Sequence, residues 1–425
     1  MEQDPAPPRR PPAALPFGVD LIRRVPVTAL DESALYADDP LSWLEREART
    51  SPNLAAIIDG LAQRLRRAGV ALARLGINTG TVHPQLLGYG CIWSHAAGHC
   101  REFEVRHAAR DDESYRRSPL RLVNEDGALV RRDPRLPEAQ AEFTLMADLS
   151  AEGITDYVAH PLGMISGVRS NVTYASDSPH RFRDADLALI ERTLPTLLLN
   201  LDSRIMLNVA GNVLDAYVGP RAGARVLRGE ILRGQGERID AVIWVSDLRD
   251  YTALSDRLRD TDMIRLLNAY FDHLASAVLD HGGEVLKFIG DGLLAIFPVN
   301  PASPNTAAES ALAAANTALA ALARLNGDAG KALAIDGEWS PLTTGIALHR
   351  GEVFFGNIGA PARVDFTVIG AAVNLAARLE PLTKTLDRPL LLTEAVAQLT
   401  SRPLVSLGTF PLRGVSAPIA IYTPK

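Results

Sequence analysis

Apolar and polar positions change period several times along the 425 residues, and each change marks an element or a boundary. Residues 1 to about 17 are rich in proline and poor in large apolar groups, which predicts a disordered leader over 1–34. Between Pro40 and Gly69, Leu54, Ile57, Leu61 and Leu65 recur at three- and four-residue steps, one face of a helix. Leu86–Trp93 and Arg101–His107 read as strands about the turn-like His95–His99, and 141–164 and 170–175 add strand candidates. Helix, antiparallel strands and irregular connections together predict one α+β domain over 35–182. From Asp184 a long helix begins, in which Leu187, Ile190, Leu194, Leu197 and Leu201 take the alternating steps of a two-stranded coiled-coil seam. Ile205, Val209, Val213 and Tyr217 then step by four, as across a stutter. Pro195 inside the run keeps a helix packed on its own domain as the alternative. Residues 183–236 are thus expected to be a signalling helix and a linker jointed at Gly219-Pro220.

In the C-terminal half, Ile239–Ser246 is a near-continuous apolar strand ending at Asp247. Ile264, Leu267, Phe271, Leu274 and Val278 make one helical stripe before Gly282-Gly283. Glu284–Phe297 reads as a hairpin turning at Gly290-Asp291-Gly292. Strict alternation puts Val285, Lys287 and Ile289 on one face, so an ammonium stands between two apolar residues where burial without a partner is costly. Such a local inconsistency marks a candidate site. An alanine-rich helix over 306–325 follows, then strands 342–348 and 352–357 about a His349–Gly351 turn, and strand 364–369. A helix carrying Asn374 and Arg378 and closing strands near 389–392, 405–410 and 419–422 complete a ferredoxin-like sheet with helices on one face, over 237–425.

Composition narrows the partners. A formal net charge of −6 without any basic block argues against a nucleic-acid surface. No apolar run reaches membrane-spanning length and the first residues lack a signal-peptide core, so a cytoplasmic protein with no membrane span is expected. Two cysteines fit a reducing compartment. Cys91, His95, His99 and Cys100 lie close together, but their spacing fits no common zinc pattern. Small apolar residues on paired strands, with histidines in a solvated turn, explain them as well.

Asp247 and Asp291 end apolar strands with no histidine or cysteine beside them, a donor set suited to a hard cation such as magnesium. Either aspartate alone is more often a turn or cap residue. Asn374 and Arg378, at i and i+4, project from one helix face, where an arginine fork matches phosphate oxygens.

These residues sit in WVSDLRDYT (244–252), KFIGDGLLAIF (287–297), GIALHRGEVFFGNIG (345–359), DFTVIGAAVNLAARLE (365–380) and LRGVSAP (412–418), which in order and spacing resemble class III nucleotidyl cyclases. The resemblance implies that Asp247, Asp291 and the Leu248 carbonyl hold two ions, Mg2+ or Mn2+. It implies that Lys287 and Thr367 read the purine, Asn374 the ribose, and Arg378 the transition state, with Arg413 in the place of a phosphate-binding lysine. Guanine-selective relatives carry an acidic residue and a cysteine at the two purine positions, so the implied reaction is ATP to 3′,5′-cyclic AMP and pyrophosphate. A head-to-tail homodimer, paired through the cyclase domain and the linker helix, would complete two sites. A guanylate cyclase and a non-catalytic nucleotide-sensing or dimerisation module remain the alternatives; a diguanylate cyclase would need a GG(D/E)EF turn, which IGDGL is not. GITDYVAHPLGM and VTYASDSPHRFRDADLALIERTLP resemble the closing strands and last helix of a GAF-type sensor domain, implying an unidentified small-molecule effector. One departure is Asp250, where the family has glycine. A carboxylate there would either repel the triphosphate or cap the next helix, and in the first case Asp250→Gly lowers the ATP requirement.

Overall fold

The computed structural model describes residues 16–28, 30, 36, 38–164, 167–327, 333, 335 and 339–425, in two compact units, 1–213 and 214–425. The first runs β1 Val19–Pro26, α1 Pro40–Arg46, α2 Leu54–Arg67, β2 Arg74–Gly80, β3 Leu86–Ser94, β4 His99–Arg106, α3 Glu113–Arg116 and α4 Pro119–Asp126. It continues with β5 Val130–Arg132, α5 Pro137–Glu142, α6 Thr144–Ala151, β6 Asp156–Gly163, β7 Arg169–Ser176 and α7 Asp184–Val218, which crosses into the second unit. The sheet order is β1-β4-β3-β2-β7-β6-β5, antiparallel throughout. Leu75, Ile77, Cys91, Trp93, Val172 and Tyr174 face a core shared with α1, α2 and α7. On the other side Phe143, Met146 and Leu149 close a smaller core with Val130, Tyr157 and Ala159.

Three expectations change here. The leader was expected to be disordered to residue 34, yet Val19–Pro26 is a strand paired with β4. It is an almost wholly exposed edge strand, and its apolar residues Val19, Leu21, Ile22 and Val25 follow no sustained alternation. Residues 1–15 of that leader lie outside the described residues. The strand expected from 141 begins only at Asp156, because Phe143, Met146 and Leu149 step by three and lie on a helical face. The coiled-coil seam is also spent within its own unit: Ile190, Leu197, Leu201 and Ile205 are buried in the core with α1 and α2. A heptad stripe has the same spacing whether it meets another chain or its own sheet, and here it meets the sheet.

The second unit runs α8 Pro220–Leu227, β8 Gly236–Leu248, α9 Tyr251–Arg257, α10 Asp260–Asp280, β9 Glu284–Ile289, β10 Gly292–Pro298, α11 Pro304–Gly327 and β11 Thr344–Ala360. Then come β12 Arg363–Ile369, α12 Ala371–Leu379, α13 Leu382–Thr385, β13 Leu390–Thr393, α14 Glu394–Ala397, β14 Leu404–Phe410 and β15 Ile419–Pro424. The sheet order is β14-β15-β13-β11-β8-β10-β9, with β12 paired to β11. β8 lies between β10 and β11 and alternates two buried faces: Val242 and Trp244 meet α10 and α11, whereas Ala241 and Ile243 meet α8 and α12. Helices therefore cover both faces, and the near-continuous apolar run of β8 is the mark of that arrangement.

The expected turn at His349–Gly351 is absent, because β11 runs straight through it, pairing Arg350 with Val242 and Gly351 with Ala241. The buried stripe of α10 is Met263, Leu266, Tyr270, Leu274, Ala277 and Val278, and Ile264 is exposed. Among the described residues no helix is long and apolar enough to cross a membrane.

Candidate active site

Asp247 lies at the end of β8, opposite Gly345 of β11, and Asp291 lies in the turn between β9 and β10. The backbone at Asp247 is pinned from beneath. The Thr344 hydroxyl donates to the Asp247 carbonyl at 2.8 Å, and the buried Tyr270 hydroxyl stands 2.8 Å from the same Thr344 oxygen. The two carboxylates crowd one another. Burial first, and then the charge and shared hydrogen bond of Asp291, push the Asp247 carboxyl up to about 6, against a single bond from the Leu248 amide. Two adjacent carboxylates, with Asp247 pushed up beside Asp291, are a donor set that a hard divalent cation fits, with the neighbouring Leu248 carbonyl a further oxygen.

A third carboxylate belongs to this cluster and escaped the sequence reading. Glu380, just after α12, is pushed up to about 7 by burial and then by the charge of Asp247. Its place is made by Gly345. A Cβ there would lie 2.3 Å from Glu380 Oε1 and 2.1 Å from Thr383 Oγ1. The available signal was its position two residues after Arg378, but only the fold turns it toward Asp247.

Lys287 meets a partner the alternation rule did not foresee. Register slips between Leu294 and Ala295, so Leu294 faces Lys287 while Ala295 faces Val285, and the odd residue, Leu286, is a bulge. Val285 packs with the α10 core and Leu286 with the α12 core, so Lys287 is not held between two apolar neighbours on one face. Its ammonium is half-buried and bonds the Asp365 carboxylate of β12, two residues before the buried Thr367. Asp365 was also missed, since it pairs with Lys287 only through the packing of β12 against β9.

Asn374 and Arg378 are exposed on α12, one turn apart. The Arg378 guanidinium lies against Gly414, where an added Cβ would stand 3.2 Å from its Nη1, and this brings the exposed Arg413 turn to it. Asp250 holds a left-handed backbone at φ 58° before α9, a conformation aspartate tolerates better than most residues. Its carboxylate bonds Lys384 of α13 at 2.8 Å, and this bond and charge hold it below the usual carboxylate range.

In the first unit, Cys91 and Cys100 are buried in the core, with Cys100 against the Ala55 carbonyl, and His95 stacks on Trp93. Among the described residues, no three His, Cys, Asp or Glu side chains form a metal-holding group.

Residues 235–417 match the family described as the adenylate and guanylate cyclase catalytic domain. This stretch is a class III cyclase catalytic domain. Its similarity extends to the adenylate cyclase of Anabaena cylindrica, 36% identical over 157 residues, 37% of this chain and 30% of that one. The terminal-differentiation-specific adenylate cyclase of Dictyostelium discoideum is 33% identical over 153 residues, 36% of this chain and 7% of that one. The chain thus spans less than a third of either curated relative. Among solved structures, the adenylyl cyclase CyaB from P. aeruginosa is 27% identical, covering 45% of this chain and 96% of that one at a TM-score of 0.40. Within the cyclase domain the matched span contains every residue of the acidic cluster, the Lys287–Asp365 pair and the Asn374–Arg378 face.

Proposed function

We propose that the chain is an adenylate cyclase, converting ATP to 3′,5′-cyclic AMP and pyrophosphate, with the first unit as its sensor. The observation that carries the reading is the crowded pair Asp247 and Asp291 at adjoining strand ends, inside the cyclase domain. Asp247, Asp291 and the Leu248 carbonyl would hold Mg2+ or Mn2+, which when bound supplies charge neutralisation for the triphosphate and a more acidic 3′-hydroxyl.

The residues themselves do the rest. In the reaction the ribose 3′-oxygen bonds the α-phosphorus, the bond to the bridging oxygen breaks, pyrophosphate leaves with that electron pair, and the hydroxyl proton passes to solvent. Arg378 meets charge that grows only as the leaving group departs, which is where a fork of donors accelerates most. Arg413 binds pyrophosphate oxygens and Asn374 orients the ribose. Lys287, aimed by Asp365, donates to adenine ring acceptors, and the Thr367 hydroxyl pairs with the exocyclic amino group. Two copies combine head to tail, so that the aspartates of one face Lys287, Thr367, Asn374 and Arg378 of the other.

The test incubates purified protein with ATP or GTP and Mg2+ or Mn2+ and looks for the cyclic product, with Asp291→Ala as control. Cyclic AMP from wild type and none from the control is expected. Cyclic GMP in preference to cyclic AMP overturns the substrate assignment, and no product at all overturns the enzyme. Mixing Asp291→Ala with Arg378→Ala protein should recover about a quarter of wild-type turnover, because half the dimers then hold one complete site. Absence of recovery counts against the shared site.

A further inference from the structure

The first unit contains a cavity of about 570 Å³, within the usual range of small-molecule sites, roughly 300–1,000 Å³. Its origin is legible in the strands. In β2, Leu75 and Ile77 face the core with α2, so Arg74, Gly76, Asn78 and Gly80 face the other way. In β3, Cys91 and Trp93 face that core, and Gly90, paired with Asn78 and Phe103, lies on the opposite side. Glycines at 76, 80, 88 and 90 place no side chain of their own on this face, and Gly80 and Gly88 open directly on the cavity. Neighbouring side chains cross the bare strands: a Cβ on Gly90 would fall 2.2 Å from Phe103 Cζ, and one on Gly76 would fall 2.6 Å from Thr173 Oγ1.

The wall is chemically graded. Ile92, Phe103, Val105 and Leu145 supply its apolar body. At one place Arg101 of β4 and Arg74 of β2 stand together, with Glu152, just after α6, at 3.7 Å from Arg74. The Arg101 guanidinium makes no hydrogen bond among the described residues. Burial, and then the neighbouring Arg74 charge, pull it below the ordinary arginine range, so this cation is held at a cost that an anion would remove. Elsewhere an amide chain lines the wall: Asn78 donates to Asn171 at 2.8 Å, and Asn171, only 1% exposed, donates to Asn124 at 2.9 Å. Among the described residues the Asn124 amide N–H groups and the Asn78 amide carbonyl make no hydrogen bond, which leaves a donor at one end of that chain and an acceptor at the other for polar groups on a ligand body.

We infer that this cavity binds a small organic acid, its carboxylate held by Arg101 beside Arg74 and its apolar or aromatic body laid along the glycine face against Phe103 and Ile92. Any effect on turnover rests on the first unit being a sensor; the binding itself does not, and it is measured without nucleotide. A failure of the cyclase reading therefore leaves this result standing, and the reverse also holds.

The experiment is titration calorimetry of the full chain with 2-naphthoate and decanoate, each beside its uncharged carboxamide. At least one acid is expected to bind about tenfold or more tighter than its amide, the worth of one charge-assisted fork. Arg101→Met should bring the ratio below about threefold while leaving amide binding in place. Glu152→Gln, which removes the one opposite charge that acts on Arg101 among the described residues, should tighten the acid several-fold, and it tests the idea even where Arg101→Met does not fold. Equal affinity of acid and amide, no binding of either acid at millimolar concentration, or an unchanged acid affinity in Glu152→Gln would each overturn the assignment.

Discussion

Gly345→Ala probes how the acidic cluster is built. Gly345 is near the end of a regular strand pair, opposite Asp247, with no left-handed φ, so alanine brings no backbone penalty and the whole effect is steric. The new methyl would lie 2.1 Å from Thr383 Oγ1, 3.0 Å from Thr383 Cβ and 2.3 Å from Glu380 Oε1, where unstrained contacts need more than about 3.4 Å. Glu380 can yield, being the far end of a flexible side chain. Thr383 cannot: it is 1% exposed on α13, and an ångström of retreat must move the helix. Overpacking of this kind costs about 1–3 kcal/mol. We expect urea unfolding to report a loss of about 2 kcal/mol, and formation of cyclic product with Mn2+ to fall about tenfold or more, since an ångström of misplacement at Asp247 acts directly on the reacting geometry. Stability within about 0.5 kcal/mol of wild type together with unchanged turnover would refute the reasoning, because α13 would then be free to slide without disturbing the carboxylates.

Three further outcomes follow from individual contacts. Burial depresses half-buried His349 to about 4, so the unfolded chain alone binds its proton between about pH 6.5 and 4; the stability this gives is complete above 6.5 and lost as pH falls through that window, at most about 2 kcal/mol by pH 5. His349→Gln, which can still reach Thr393, should flatten that part of the pH dependence in urea titrations at pH 7.5 and 5, and an unchanged slope would deny the assignment. Because Lys384 neutralises Asp250, Asp250→Gly should leave the KM for ATP within about twofold, whereas Lys384→Ala, which releases the carboxylate, should raise it; the opposite order would mean that Asp250 faces the triphosphate. Asp365→Asn should raise the KM for ATP about fivefold, the equivalent of about 1 kcal/mol of lost positioning, with kcat less affected, and equal KM values would leave Lys287 aimed by something else.

What could be read from the chain alone was what depends on neighbours in sequence. Asp247 and Asp291 end apolar runs, so strand ends and turn chemistry suffice to find them. Asn374 and Arg378 share a helix turn, so spacing alone puts them on one face. Lys287 stands out in the sequence for a reason the structure revises: the bulge at Leu286 is set by the register of β10, which no window around Lys287 contains. Glu380 and Asp365 acquire their roles through partners 133 and 78 positions away, at Asp247 and Lys287. The stripe of α7 shows a different limit. Its period states that a face must be buried, but the same leucines and isoleucines satisfy a second chain or the sheet of their own unit, and only the competing surface decides. The cavity was the least legible feature, because its signal is an omission: four glycines spread over two strands fall on one face only after the strands are paired in register. Arginine and glycine at alternate positions of a strand therefore point to a lined cavity more than to a weak strand, provided the intervening positions are large and apolar, as Leu75 and Ile77 are in β2.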